Sequence, residues 1–155
     1  MKKIRGFEVA KGFENSNINL PVRKTKFSAG YDFEAAEDCV VPAFTNGGTK
    51  PTLVKTGIKA YCGEDEYLAL VNRSSNPLKR GLVLANSIGI IDSDYYENPS
   101  NDGHIMFCFY NMSDKDVEIK KGECIGQGIF QKFYIADGDC AEGERTGGYG
   151  STNKQ

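Results

Sequence analysis

Two carboxylates placed directly after an apolar run are the first side chains in this sequence that could do chemistry. The segment IGIIDSDYY, residues 88–96, begins like a β-strand with three isoleucines and then carries Asp92, Asp94 and two tyrosines. Asp beside Ser is typical of an ordinary turn, so the strand could simply end here. The alternative is that a rigid strand directs a carboxylate at a target outside it. These nine residues alone leave both interpretations open.

A group of the phosphate-binding type precedes a predicted short helix. The segment NPLKRG, residues 76–81, has a proline for its first turn and a glycine at its end, and either its asparagine or Ser75 can cap it. Arg73, Ser74 and Ser75 thus lie ahead of a helix N-terminus, where free backbone N–H groups favour anions. These side chains could hold a phosphate. The alternative is a capped helix with a solvent-facing arginine.

A glutamine interrupts the apolar run IGQGI, residues 125–129. In a strand, Gln127 would share one face with Ile125 and Ile129. A buried amide without a partner costs about 1–3 kcal/mol, so this side chain needs a hydrogen-bonding partner. The flanking glycines would let another group approach closely. The alternative is an ordinary glutamine at the core edge, bonded to backbone.

The C-terminal segment, residues 144–155, is too rich in glycine and polar residues to form a strand or helix. It frames Tyr149 with three glycines and adds Arg145, Ser151 and Thr152. Such a set could fold over a ligand, with an aromatic plate and donors for an anion. The alternative is a disordered terminus, the usual fate of a polar tail.

The elements that must position these residues are short β-strands. Short apolar or alternating runs are separated by turn-rich pieces, which favours an all-β barrel or sandwich with one short helix. The runs are 53–60, 67–71, 82–84, 105–110, 117–119 and 125–134. We therefore predict one β-domain over residues 1–143, followed by a flexible lid over 144–155.

Composition excludes several classes of function. The chain has 155 residues, 39% of them hydrophobic, and a net charge of −2, which gives no general reason to bind nucleic acid. No apolar run approaches a membrane span, and the first residues do not resemble a signal peptide. We therefore expect five free cysteines and a cytoplasmic protein. His104 has no His or Cys neighbour at ligand spacing, so we expect an ordinary loop or strand-surface histidine and no zinc site.

Five segments, in order along the chain, resemble the motifs of the trimeric, all-β deoxyuridine triphosphatases (dUTPases). They are residues 29–35, 73–75 with 81–82, 86–95, 122–130 and 145–152. The resemblance implies the jelly-roll-like β-barrel fold of that family. It also implies hydrolysis of dUTP to dUMP and pyrophosphate with Mg²⁺, which keeps uracil out of DNA and supplies dUMP for thymidylate synthesis. Finally, it implies a homotrimer whose active sites are shared between subunits.

The chain departs from the family pattern in three places. Cys124 stands where the family usually has Arg, and Gly126 stands where it usually has Ala. The fifth motif is one residue shorter between Arg145 and Tyr149 and ends in Asn153 instead of Gly. The segment YENPSNDGH, residues 96–104, is longer than the usual turn.

The third motif supplies the expected catalytic and base-reading residues. The resemblance implies that Asp92 is the general base that activates a water molecule. It implies that Tyr95 lies against the deoxyribose and leaves no room for a 2′-hydroxyl. Asn86 and the backbone around Gly89 and Ile91 would read uracil. On this interpretation the strand fixes the base-reading hairpin, and its end points the carboxylate at water.

The phosphate chain would be held by residues from other motifs. The resemblance implies this role for Arg73, Ser74, Ser75 and Gln127, and it places Asp32 in the polar network near the metal. Magnesium would be held through substrate phosphates and water, so no dense carboxylate cluster is needed.

The fifth motif would close the site. By resemblance, Tyr149 stacks on uracil while Arg145, Ser151 and Thr152 grip the terminal phosphate, and a neighbouring subunit lends this segment. Two other functions stay open: a dUTP-binding regulatory protein of the same fold, and an enzyme similar to dCTP deaminase, which shares the fold.

Overall fold

The computed structural model describes residues 2–46 and 50–150, and within these it has ten β-strands. Three short helical turns connect some of them: Phe44–Asn46, Asn76–Arg80 and Ser93–Tyr95. The strands are β1 Gly6–Val9, β2 Tyr31–Glu34, β3 Cys39–Val41, β4 Thr52–Tyr61, β5 Glu66–Asn72, β6 Leu82–Leu84, β7 Gly89–Asp92, β8 Ile105–Asn111, β9 Val117–Ile119 and β10 Cys124–Lys132. The prediction of an all-β protein is confirmed.

The strands form two four-stranded sheets and one small pair. One sheet has the order β1-β4-β8-β6, the other β2-β10-β5-β7, and β3 pairs with β9. Neighbouring strands in each ladder run antiparallel. Strands β6 and β7 are consecutive in the chain but belong to different sheets, so the turn between them crosses one edge of the molecule.

The core lies between the sheets because alternate residues of each strand point inward. Strand β8 shows this alternation along its whole length, with Ile105, Phe107 and Phe109 almost completely buried. Phe33 of β2 packs on Phe107 with ring centroids 5.6 Å apart. Each such aromatic side chain removes a large apolar area from water, which is the main stabilising contribution to a fold of this size.

The prediction that Gln127 shares one face of the strand with Ile125 is wrong, because Ile125 is buried in the core and Gln127 is not. A Cβ on Gly126 would lie 2.1 Å from a ring carbon of Phe107, and one on Gly128 would lie 2.7 Å from a ring carbon of Phe33. These glycines therefore face the core, and the groups that approach them closely are core phenylalanines. Gln127 points to the opposite face. The cause is an irregularity between Cys124 and Gly126, which shifts the register of the strand.

The predicted short helix is present as a single turn, Asn76–Arg80. Gly81 ends it in the left-handed conformation, with φ of 66°, and its N–H bonds to the Asn76 carbonyl. Ser75 occupies the N-cap position without a capping bond from its side chain to any described residue. Asn76 is buried, and its side chain donates to Asn72 and to the Ile125 carbonyl, so it joins the turn to β5 and β10.

The five cysteines are free thiols, as the sequence predicts. Burial raises the pKa of Cys62 to about 11 and also raises the pKa of Cys124, so neither is a reactive thiolate. Among the described residues, no helix is long and apolar enough to cross a membrane.

Candidate active site

A small cavity opens beside the turn that joins β6 to β7. Its volume is about 180 Å³, and its lining includes Asn86, Gly89, Ile91, Tyr95 and Tyr149. The turn is tight: the Ile88 N–H bonds to the Asn86 carbonyl at 2.7 Å, and Ser87 has a φ of 63°. The structure thus brings together the residues that the sequence predicts to read a base.

Asp92 is the last residue of β7. Along this strand Gly89 and Ile91 are buried while Ile90 and Asp92 face outward, so the strand itself sets the direction of the carboxylate. About half of the Asp92 side chain is accessible to solvent. A helical turn begins directly after it, at Ser93. The strand ends here, as the first interpretation predicts, and its last side chain faces outward beside Arg145, which lines the cavity.

Tyr95 is buried and fixed through its hydroxyl group. The hydroxyl donates to the His104 carbonyl and accepts from the side-chain amide of Asn101, each at 2.8 Å. Burial raises the pKa of this phenol, which therefore stays protonated at neutral pH. One face of the ring is covered by the tail, where a Cβ on Gly148 would lie only 2.5 Å from a ring carbon. The glycine is required for this close approach.

The C-terminal tail lies against its own chain. Arg145 Nε donates to Asp94 at 2.6 Å, and Arg145 Nη2 donates to Asp92 at 2.5 Å. Its guanidinium lies 6.0 Å from the centre of the Tyr95 ring. The Tyr149 hydroxyl donates to the Met106 carbonyl at 3.4 Å. The tail residues up to Gly150 therefore close the cavity and bind both carboxylates; predicted site residues Ser151 and Thr152 lie outside the described residues.

A second set of predicted residues lies elsewhere on the same sheet. Gln127 Nε2 donates to Asp32 Oδ1 at 2.9 Å across the β2–β10 pair, which supplies the partner that the sequence requires. Gly30 packs directly behind this amide, since a Cβ there would lie 2.9 Å from Gln127 Oε1. Arg73 follows the end of β5 and donates to the Cys124 carbonyl at 3.0 Å. Ser74 and Ser75 come next, at the start of the helical turn.

The predicted site residues form two groups, one along β7 and the tail, the other on β2, β10 and the segment after β5. We call them the Asp92 group and the Arg73 group. The Asp92 group comprises Asn86, Gly89, Ile91, Asp92 and Tyr95, with Arg145 and Tyr149 from the tail. The Arg73 group comprises Asp32, Arg73, Ser74, Ser75 and Gln127. Asp92 pairs with Tyr67 near the start of β5, whereas Arg73 follows its last residue. At 3.3–3.4 Å per residue, Asp92 and Arg73 are about 20 Å apart along β5. Other members of the two groups lie closer together, since Gly89 pairs with Leu70 and Gln127 pairs with Val71.

Sequence reasoning missed the residues that hold Tyr95. Asn101 bonds its hydroxyl, and buried Asn98 donates to its carbonyl at 2.8 Å. Both belong to the long 96–104 segment. His104 is partly buried, and its Nε2 accepts from the Gly57 N–H at 3.0 Å. Burial lowers the pKa of this imidazole to about 4. The signal available in the sequence was the run of Asn, Ser, Asp and Gly, residues whose side chains bond nearby backbone.

The fold and this site define a class of small all-β proteins in which a glycine-rich tail closes a pocket beside a carboxylate. Within that class, the family model for dUTPase matches residues 16–149. The chain therefore belongs to the dUTPase family.

Individual relatives agree with this assignment. The deoxyuridine 5′-triphosphate nucleotidohydrolase of Lactococcus lactis is 52% identical over 152 residues, which are 97% of this chain and 98% of that protein. The enzyme of the same name from Debaryomyces hansenii is 34% identical over 149 residues, 90% of this chain and 84% of that protein. The crystal structure of the dUTPase from Streptococcus mutans superposes with a TM-score of 0.78 at 46% identity, covering 86% of this chain and 99% of that one.

Proposed function

We propose that this chain is a dUTP diphosphatase that cleaves the α–β phosphoanhydride of dUTP to give dUMP and pyrophosphate. One observation carries the proposal: the Asp92 carboxylate projects from the end of β7, next to a cavity lined by Asn86, Gly89, Tyr95 and Tyr149. The base-reading and sugar-reading positions and the carboxylate are therefore neighbours on one strand and the turns before and after it.

The turn between β6 and β7, which belong to different sheets, is suited together with β7 to reading a pyrimidine base. Strand β7 is the edge strand of its sheet, so part of its backbone N–H and C=O groups point away from β5 and are free to bond a ligand. Uracil offers one N–H donor between two carbonyl acceptors, which matches alternating backbone groups. Asn86 adds a side-chain amide, and Tyr149 supplies an aromatic face across the cavity.

Asp92 would accept a proton from the attacking water. A positioned carboxylate within one hydrogen bond of the nucleophile is what this step needs. Arg145, now bound to Asp92 and Asp94, would move to the terminal phosphate when nucleotide binds, because a triphosphate offers it a higher negative charge. The tail would then exclude water other than the nucleophile.

Magnesium fits this chain as a substrate-held ion. Within residues 2–46 and 50–150, no group of three His, Cys, Asp or Glu side chains could hold a metal. Substrate phosphates and water would therefore supply most of the ligands, as Mg²⁺ commonly prefers. Asp32, nearly buried and oriented by Gln127, is the residue that would bind metal-bound water. When bound, the ion would neutralise charge on the phosphates.

We further propose that the enzyme is a homotrimer in which neighbouring chains complete each site. The separation of about 20 Å along β5 between Asp92 and Arg73 supports this, because both side chains would act on one triphosphate. The tail has length to spare: residues 133–144 could span about 40 Å when extended. Lys132, where β10 ends, pairs with Glu66, only two strand spacings from Asp92. The tail could therefore reach its own chain's site or a neighbour's.

An activity assay separates this proposal from the two alternatives. Purified protein is incubated with Mg²⁺ and either dUTP or dCTP, and dUMP, pyrophosphate and ammonia are measured. We expect dUMP and pyrophosphate from dUTP alone. Ammonia from dCTP would identify a deaminase, and binding of dUTP without product would identify a regulatory protein. Light scattering on the same sample tests the trimer.

A further inference from the structure

The segment of residues 96–104, which we call the 96–104 loop, is an ordered structure built around one buried asparagine. Asn98 is only 4% exposed. Its Oδ1 accepts from the Ser100 N–H at 3.1 Å and from the Ser100 hydroxyl at 2.9 Å, and its Nδ2 donates to Asn101 Oδ1 at 2.7 Å. Glu97 and Asp102 both have positive φ angles, 55° and 59°, so the backbone is held in conformations that it would otherwise rarely adopt.

The outer side of the loop is attached to the first sheet by charged groups. Lys59 Nζ on β4 bonds Glu97 at 2.9 Å and Asp102 at 3.2 Å, and the Lys59 side chain is only 10% exposed. The Tyr96 hydroxyl donates to Glu8 on β1 at 2.7 Å. Partly buried pairs of this kind fix geometry better than exposed ones, because little water competes for them. The loop therefore has a rigid base.

The inner side of the loop reaches the proposed sugar site. Asn101 presents its Nδ2 to the Tyr95 hydroxyl at 2.8 Å, while Asn101 Oδ1 is occupied by bonds from Asn98 and from the Gly103 N–H at 3.1 Å. Those two bonds decide the orientation of the amide, so its donor side must face Tyr95. The hydroxyl in turn donates to the His104 carbonyl. One acceptor and one donor thus hold the end of the ring from two directions.

We propose that Asn101 is a positioning residue for sugar discrimination, acting through the Tyr95 hydroxyl. The inference rests on the proposed function, in which the Tyr95 ring excludes a 2′-hydroxyl by contact. Exclusion by contact works only when the ring cannot swing aside, and a ring anchored at its far end resists that swing. To admit a ribose, Tyr95 must lose or distort its bonds to Asn101 and His104. The selectivity of dUTP over UTP therefore depends on a residue outside the nucleotide site.

Asn101→Asp is the sharpest test of this proposal. The substitution keeps the Oδ1 that Asn98 and Gly103 need, adds a negative charge, and replaces the donor facing Tyr95 with an acceptor oxygen. The single proton of the Tyr95 hydroxyl can then serve this carboxylate or the His104 carbonyl but not both, so one of the two anchoring bonds is lost. We expect the ratio of kcat/KM for UTP to that for dUTP to rise roughly three- to tenfold, the range that one hydrogen bond corresponds to. The kcat for dUTP should change less than the ratio. Tyr95→Phe, which removes the hydroxyl and keeps the ring, should raise the ratio to a similar extent.

A double variant separates positioning from a general structural effect. In the Tyr95→Phe background, Asn101→Asp should produce no further change in the UTP/dUTP ratio, because the bond through which it acts is already absent. Ser100→Ala is the matched control: it removes a loop bond to Asn98 without touching Tyr95, and it should leave the ratio unchanged. Thermal melting of each variant confirms that it is folded.

The outcomes are distinguishable. An unchanged ratio in Asn101→Asp would overturn the inference about Asn101, and an unchanged ratio in Tyr95→Phe would overturn it even if Asn101→Asp fails to fold. Equal effects of Asn101→Asp in the wild-type and Tyr95→Phe backgrounds would also overturn it. An unchanged ratio in Tyr95→Ala would instead overturn the proposed role of Tyr95 itself.

Discussion

The Asp92 group and the Arg73 group differ in how much of a site one chain provides. In the Asp92 group, the turn before β7, the strand and the tail line a cavity of about 180 Å³, and the 96–104 loop fixes Tyr95. In the Arg73 group, Gln127 bonds Asp32 and Arg73 bonds a backbone carbonyl, so these side chains bond within their own sheet. The contrast teaches that one chain shapes the proposed base and sugar pocket, while its proposed phosphate-binding side chains are occupied by bonds within the sheet.

The largest expected effect comes from the carboxylate of Asp92 itself. We expect Asp92→Asn to lower kcat by about 10²–10⁴, the usual contribution of a positioned base, while dUTP still binds. Asp94→Asn is a matched control because Arg145 bonds both carboxylates and only Asp92 lies on the strand. It should lose less than roughly tenfold, since a surface ion pair contributes little. Steady-state kinetics and calorimetric binding of dUTP check both, and equal losses would contradict the assignment of Asp92.

The second effect tests which chain the tail serves. Truncation after Glu144 should leave a folded trimer whose activity is lower by about 100-fold, because the groups that position base and phosphate are lost. The truncated chain is then mixed with full-length Asp92→Asn and allowed to exchange subunits. Recovered dUTP hydrolysis would mean that a tail from one chain serves an Asp92 of another. No recovery despite proven exchange would mean that the tail serves its own chain, as it lies in this structure.

The third prediction concerns core packing next to Gln127 of the Arg73 group, on the inner face of β10. Gly126→Ala introduces the residue that is usual in the family, but here its Cβ would lie 2.1 Å from the Phe107 ring. We expect the free energy of unfolding to fall by about 1–3 kcal/mol, as overpacking commonly costs. Adding Phe107→Leu should make the double variant less unstable than the sum of the two single changes. Gly143→Ala, where a Cβ would meet no described atom within 4 Å, is the control. Denaturant unfolding measures all four, and an unaffected Gly126→Ala would show that Phe107 can move aside.

The smallest expected effect is a pH dependence of the free energy of unfolding that comes from His104, whose carbonyl accepts a hydrogen bond from Tyr95 of the Asp92 group. Burial lowers the pKa of His104 to about 4, below its ordinary value of 6.5. As pH falls from 6.5 towards 4, the unfolded chain takes up a proton that the folded chain does not, so folding is destabilised over that window and unaffected above it. We expect a loss of about 1–2 kcal/mol, allowing for the partial exposure of the ring. In His104→Gln this component should vanish from the pH dependence of unfolding, and an unchanged dependence would contradict it.

Sequence patterns predicted the longer strands because alternation accumulates over five or more residues. The runs 53–60, 67–71, 105–110 and 125–134 fall on β4, β5, β8 and β10, and the three-residue runs 82–84 and 117–119 coincide with β6 and β9. Strands β1, β2 and β3 were not predicted as strands, although their sequences GFEV, YDFE and CVV are about as short as those of β6 and β9. What makes them strands is their pairing with β4, β10 and β9, which lie far away in sequence.

The site was predictable in its parts but not in its arrangement. The orientation of Gln127 depends on a register irregularity near Cys124, and a shift of one residue reverses which side of a strand faces the core. The role of Asn101 depends on a buried tyrosine and an amide whose direction is fixed by Asn98. Local composition predicts that such a loop turns; it does not predict which hydroxyl the loop will hold.

Arg145 forms ion pairs with both Asp92 and Asp94. In the proposed reaction the Arg145 guanidinium would therefore leave the two carboxylates for phosphate oxygens. It would exchange one set of ion pairs for another and would not have to give up a full shell of water. Since the free energy of such an exchange is a difference between two similar interactions, closing over dUTP need not trap the nucleotide. The two carboxylates would compete with the phosphate for Arg145, and their local concentration is high because the tail is tethered beside them. Once pyrophosphate has left, the same arginine would return to the aspartates, which would favour release of dUMP and ready the chain for another turnover.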